Sequence, residues 1–199
     1  ASGSPLVLDQ PDSMLHFIST GIVSGPVKLE SGTLKSSGSP TISGTLTQYN
    51  NAAIEVSVAQ TPTYTGSPIS LGTNTLSLSG GGTFANTMPL VLDNAASKLL
   101  LSSITVDNVS TSVDNSLGVE VENDSTITSL LVANITPVSI GSGKTLSGAI
   151  GVTAGSIKLT DTGTLASTIE MSGGTIDADN SLTVSGALTQ SGDITIDVL

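Results

Sequence analysis

The only histidine, His16, lies in the run MLHFIST at residues 14–20, and a single imidazole sets a low ceiling on acid–base chemistry. A Ser–His–acid triad needs that one ring aimed at a nucleophile and oriented by a carboxylate, and a histidine metal pair or proton relay needs a second ring. Ser and Thr supply 59 of the 199 residues, yet no GxSxG elbow occurs and no serine has a neighbour that would activate it. Cysteine is absent, which excludes thiolate nucleophiles, thiolate metal sites and disulfides.

Oxygen chemistry is the remaining option. The run VDNVSTSVDNSLGVEVENDS at residues 106–125 holds Asp107, Asp114, Glu120, Glu122 and Asp124, and calcium is the hard cation such ligands would suit. Their spacing fits neither an EF-hand loop nor a glycine-rich nonapeptide repeat. Asp and Asn are equally the residues of tight corners, so the cluster reads as solvated turns and no cofactor is assigned. Asn108, Asn123 and Asn134 each open an N-x-S/T sequon, but ten asparagines in so hydroxyl-rich a chain produce about three by chance.

Charge and composition narrow the classes further. Sixteen acidic groups against five lysines give a net charge of −11, which repels phosphate backbones and anionic lipid, so nucleic acid is not an expected partner. No apolar run reaches 18 residues, so no membrane insertion is expected. Carbohydrate-processing β-helices gather carboxylates with basic residues, and this chain has no arginine; sugar platforms want rings, and only Phe17, Phe84, Tyr49 and Tyr64 are present. The expectation is a protein that is not an enzyme. A first residue that is Ala rather than Met suits a mature exported protein after signal removal, or a fragment.

The elements that must position these residues are announced by repetition. TLSGAI at 145–150, TLASTI at 164–169 and TVSGAL at 183–188 recur at a step of 19. The Thr-plus-apolar pair extends upstream through Thr126-Ile127, Thr105-Val106, Thr83-Phe84, Thr63-Tyr64 and Thr45-Leu46. A second apolar column runs Leu71, Leu90, Val109, Leu131, Ile150, Ile169, Leu188, and a third runs Leu78, Leu99, Val119, Val138, Ile157, Ile176. Gly155, Gly174 and Gly192 read as corners between the first and second columns; Asn123, Ser142, Asp161 and Asn180 read as corners between the second and third.

Three inward columns imply three walls. A repeat this short cannot bury an apolar face alone, so each coil must stack on the next. The fold expected is all-β, a parallel β-helix (β-solenoid) with three short walls per coil and about 19 residues per coil. Roughly ten coils at about 4.8 Å make a rod of about 48 Å. Residues 1–26 are read as an N-terminal cap or first irregular coil and residues 27–199 as the solenoid, with spacing that slips before residue 60.

Two features bear on function. TxT pairs at Thr45/Thr47, Thr61/Thr63/Thr65, Thr73/Thr75, Thr126/Thr128 and Thr160/Thr162/Thr164 are similar to the threonine ranks of ice-binding solenoids, but they do not form an unbroken two-rank array. DITIDVL at residues 193–199 alternates apolar and polar up to residue 199 with no polar cap. An open terminal coil recruits another chain, which makes Ile194, Ile196, Val198 and Leu199 at one end, and Leu6 and Leu8 at the other, the candidate assembly residues.

Phrases such as SGTLKSSGSPTISGTLTQ, NTLSLSGGGTF and GTIDADNSLTVSGALTQSGDITI resemble the strand repeats of bacterial autotransporter passengers and other exported surface solenoids, over most of residues 27–199. The resemblance implies an extracellular or cell-surface location and carries over no active-site residue. The expected function is structural: a subunit of a cell-surface filament or sheath, assembled head to tail from copies of itself. The alternative is an adhesin stalk or passenger whose polar faces meet a cell surface or its carbohydrate, and ice binding stands behind both.

Overall fold

The computed structural model describes residues 4–160, 162–178 and 183–198. Every described element is a strand, and every strand pairing is parallel, between segments about one coil apart. The chain is a β-solenoid of about nine turns with three sheets and about 20 residues per coil. Its third wall is a ten-stranded sheet that runs from Met14–Phe17 to Thr195–Val198, so ten rungs bound the nine turns. Coil length is not constant: Met14 pairs with Thr33, 19 residues on, whereas Ala52 pairs with Leu76, 24 on. Among the described residues no helix is long and apolar enough to cross a membrane.

Alternation builds each wall. In Lys98–Ser102, Leu99 and Leu101 are fully buried, while Lys98, Leu100 and Ser102 point outward. The side-chain period of two lets one face line the core and the other meet water. Leu76, Leu99, Val119 and Val138 then stack as consecutive pairing partners, an aliphatic ladder in which each fully buried side chain contributes about 1.5–3 kcal/mol. The third column is therefore right in which residues point inward but shifts sideways: Leu78 lies over Leu101, and Val138 over Leu159. Both shifts are of two residues, and a two-residue slip keeps the apolar set inside.

The first wall shows the same economy. Thr83, Thr105 and Thr126 are successive partners, and so are Thr145, Thr164 and Thr183. Between these ranks Thr126 pairs with Ser147 rather than Thr145, and Thr63 pairs with Thr41 and Ala85 rather than Thr83. Thr45-Leu46 leaves this column, since Leu46 pairs with Val27 on the second wall.

Three separate short walls describe only part of the chain. Leu90–Leu92 and Thr83–Asn86 are distinct strands, but both pair with the single strand Thr105–Thr111, and from there to Thr164–Met171 the first and second walls share one bent strand per coil. In Thr105–Thr111 and Ser125–Val132 the bend is made by two successive outward residues, Asp107-Asn108 and Thr128-Ser129, which reverse the inward parity; at Thr128-Ser129 the pairing with Thr145–Val152 also shifts register by one residue. That reversal corrects the second column. Leu130 is the buried partner of Val109 and Ile150, and Leu131 is 44% exposed.

The corners are also reassigned. Gly155 and Gly174 lie between the second and third walls, and Asn123 and Ser142 between the third and the first; Asp161 and Asn180 fall outside the described residues. At Gly174 φ is +89°, and a Cβ there would collide with the carbonyl oxygen of Gly155 one coil below, so this corner requires glycine.

The buried hydrophobic core is aliphatic except for two rings on successive coils. Tyr64 and Phe84 are both fully buried and stack with ring centroids 6.3 Å apart at 16°. Residues 4–26 already form paired strands: Leu6–Leu8, Met14–Phe17 and Ile22–Val23 pair with Val27–Leu29, Thr33–Ser36 and Thr41–Ile42 of the next coil.

Candidate functional site

His16 sits on the outward face of Met14–Phe17, exposed, with its Nε2 2.8 Å from the Ser37 hydroxyl and Lys35 as its neighbour one coil on. Neither of these neighbours is a carboxylate of the kind that orients a histidine as a base. The five acidic residues of the 106–125 run are dispersed. Asp107 accepts from the Thr128 hydroxyl (3.1 Å), Asp114 from the Ile135 N–H (3.0 Å), Asp124 from the Thr145 N–H (2.8 Å), and Glu120 pairs with Lys98 (2.6 Å). These carboxylates fasten one coil to the next. Among the described residues no three His, Asp or Glu side chains converge on a point where a metal ion could sit.

The sequons are similarly engaged. Asn108 Nδ2 donates to the Asn86 carbonyl and Asn123 Nδ2 to the Ser102 hydroxyl, while Asn134 is half-buried at a corner. A surface hollow along one edge is lined by Gly82, Ser103, Thr105, Asp124, Thr126 and Thr145, with no ring or cation in it. Threonine ranks on the first wall are broken at Thr126 and offset by two residues.

What stands apart is the pair of end coils. At one end Met14, Ile18 and Ile22 are exposed, Ile22 to 77%, beside Leu6 at 47%. At the other, Val184, Leu188 and Ile196 are exposed, Ile196 to 48%. Leu6, Val184, Leu188 and Ile196 sit on ladders whose next rungs, Val27, Leu165, Ile169 and Ile176, are buried, whereas Met14 and Ile22 face outward over Thr33 and Thr41. Of the candidate assembly residues, Leu6 and Ile196 are thus exposed, Ile194 is half-buried against the core, and Leu8 is buried within its own coil. The Val198 backbone pairs with Ala178; its side chain, and Leu199, lie outside the described residues. Sequence reasoning missed Met14, Ile22, Val184 and Leu188, which belong to the same edges.

The two edges correspond wall by wall. On the second wall the outer strands are Leu6–Leu8 and Leu188–Gln190, three residues each; on the third, Met14–Phe17 and Thr195–Val198, four each; on the first, Ile22–Val23 and Thr183–Val184, two each. Their outer backbone N–H and C=O groups pair with no described strand.

The fold is a β-solenoid, and its first and last described coils carry exposed aliphatic side chains. Compared with protein-family models, with curated proteins and with solved structures, the chain matches none of them.

Proposed function

We propose that the protein is a structural component of an extracellular, cell-surface filament or sheath, in which solenoids stack end to end so that the sheets continue from one copy to the next. The observation that carries this reading is the match in strand length between the two edges on the second and third walls. Laid head to tail, the edge strands of the second and third walls meet equal partners in the parallel sense that every inner rung uses, and inward faces inward: Leu6 with Leu188 and Leu15 with Ile196; the first wall has nine rungs against ten on the third, so Ile22–Val23 and Thr183–Val184 stand two steps apart. Such a contact is heterologous and does not close, which is the geometry of a fibre. A surface of hydroxyls and carboxylates keeps the sides of the rod solvated and unlikely faces apart. The reading assigns no reaction to the chain.

A stalk or passenger of an adhesin is the second reading, favoured by the hydroxyl ranks Thr83-Thr105-Thr126 and Thr145-Thr164-Thr183 that line one outward face and would meet a cell surface or its carbohydrate. Negative-stain microscopy of the purified 199-residue protein separates the two. Fibres many subunits long are expected; dispersed rods of about 5 nm, the length of ten rungs, would overturn assembly and leave the stalk.

A further inference from the structure

We infer that head-to-tail stacking places Asp197 of one copy against His16 of the next, and that protonation of His16 tightens the contact. The inference rests on the assembly reading above.

It follows from the third wall. Only one register pairs all four residues of Thr195–Val198 with all four of Met14–Phe17 while keeping Leu15 and Phe17 on the core side, and it sets Asp197 over His16. The wall already uses such pairs: Lys35 with Glu55, Lys98 with Glu120 and Lys158 with Asp177 all bridge one coil to the next on this face.

At the 195–198 edge the pattern is unbalanced. Asp177 and Asp197 are direct neighbours across one coil step, a like-charge pair, and only Lys158 answers them, 3.7 Å from Asp177. The other carboxylate oxygen of Asp177 is buried with no partner among the described residues. Like charges directly opposite each other on a sheet are unfavourable.

At the 14–17 edge the adjoining groups are His16 and Lys35, with Lys35 tied to Glu55 at 2.5 Å. That edge is neutral when the imidazole is neutral and carries one positive charge when it is protonated. The corners leading into the two strands bring Asp12 on the His16 side and Asp193 on the Asp197 side, both exposed to water, and these oppose the contact at any pH where carboxylates are ionised. Imidazole is the side-chain type that gains its proton between about pH 8 and pH 5, where carboxylates stay charged. The chain has one histidine, so the part of any response in that window that His16 carries is the part a variant at position 16 removes.

The test is the critical concentration for fibre growth, measured by sedimentation at about pH 7.5 and about pH 5.5. Wild type is expected to assemble at a roughly two- to five-fold lower concentration at the acid pH, the size of one partly exposed ion pair. His16→Gln removes that dependence. His16→Asp and Asp197→Lys each raise the critical concentration, and the double variant restores assembly with no pH response; both side chains are exposed, and β-sheet dichroism confirms the fold of each variant. Fibres that ignore both pH and His16→Asp would overturn the pairing and leave the assembly reading standing. If no variant and no pH yields fibres, both fall.

Discussion

Asn86 and Asn108 clasp each other across one coil step: the Asn86 Nδ2 donates to the Asn108 carbonyl (2.6 Å), and the Asn108 Nδ2 donates to the Asn86 carbonyl (2.5 Å). Asn86 is fully buried, and its Oδ1 also accepts the backbone N–H groups of Asp107 and Asn108, while its Nδ2 reaches the Met88 carbonyl. One amide thus satisfies two donors and two acceptors where the strand Thr105–Thr111 bends. Asn86→Ala leaves several of them buried without partners, each costing about 1–3 kcal/mol, so a loss of at least about 3 kcal/mol is expected in urea unfolding. Asn108→Ala breaks one end of the clasp on a half-exposed residue and should cost about 1 kcal/mol.

The two leucines after the next bend give a sharper contrast. Leu130→Asp puts a carboxylate into the ladder between Val109 and Ile150 and is expected to cost more than about 4 kcal/mol or prevent folding. Leu131→Asp, one residue on, changes an exposed side chain and should stay within about 0.5 kcal/mol. Ile157→Asp, fully buried between Thr136 and Ile176, belongs with the first. Expression yield and thermal melts of the three proteins check the register residue by residue; equal tolerance of Leu130→Asp and Leu131→Asp would refute it.

These residues also mark how far the sequence could be read. The fold was legible because partners one coil apart share an environment, and Thr145, Thr164 and Thr183 repeat it at a constant step. Leu130 and Leu131 could not be told apart, since both are aliphatic and the parity reversal at Thr128-Ser129 leaves no signature in residue type. A buried Asn86 looks in sequence like any turn asparagine. Of the edges, alternation exposed Ile194 and Ile196, whereas Met14, Ile22, Val184 and Leu188 became visible only once each strand had a place on a wall. The match in strand length between the edges is a property of two distant segments, and no local pattern encodes it.

Glycine is required at some corners and incidental at others. Gly148 has φ +120°, and a Cβ on it would run into the carbonyl oxygen of Ile127 one coil below. Gly148→Ala must therefore push apart two rungs of the first wall as well as force a left-handed backbone, and a loss of about 2–4 kcal/mol is expected. Gly21 has no such φ and nothing within 4 Å of a Cβ, so Gly21→Ala should be neutral or stabilising by up to about 1 kcal/mol. Paired melts of the two variants decide it; a Gly148→Ala protein as stable as Gly21→Ala would contradict the close stacking of coils there.

Tyr64 supplies the alkaline limit of stability. Its ring is fully buried, its hydroxyl donates to the Ser67 carbonyl at 2.6 Å and accepts the Leu46 N–H at 3.1 Å. Burial pushes its pKa above the ordinary value of 10.0, because the phenolate would lose its water, and the Leu46 N–H, which favours the anion, offsets only part of this. A folded-state pKa above the unfolded value means that the neutral phenol stabilises the fold fully below about pH 10, and that this stability is lost as pH rises from there through the raised pKa. In a Tyr49→Phe background the tyrosinate absorbance reports Tyr64 alone, and it should rise only above pH 10, together with the loss of β-sheet dichroism. The decisive comparison is with Tyr49→Phe/Tyr64→Phe. That protein starts about 1–2 kcal/mol less stable, having lost two hydrogen bonds, but its urea midpoint should fall less steeply between about pH 9 and 12. Parallel declines in the two proteins would show that the Tyr64 hydroxyl is not held in the interior.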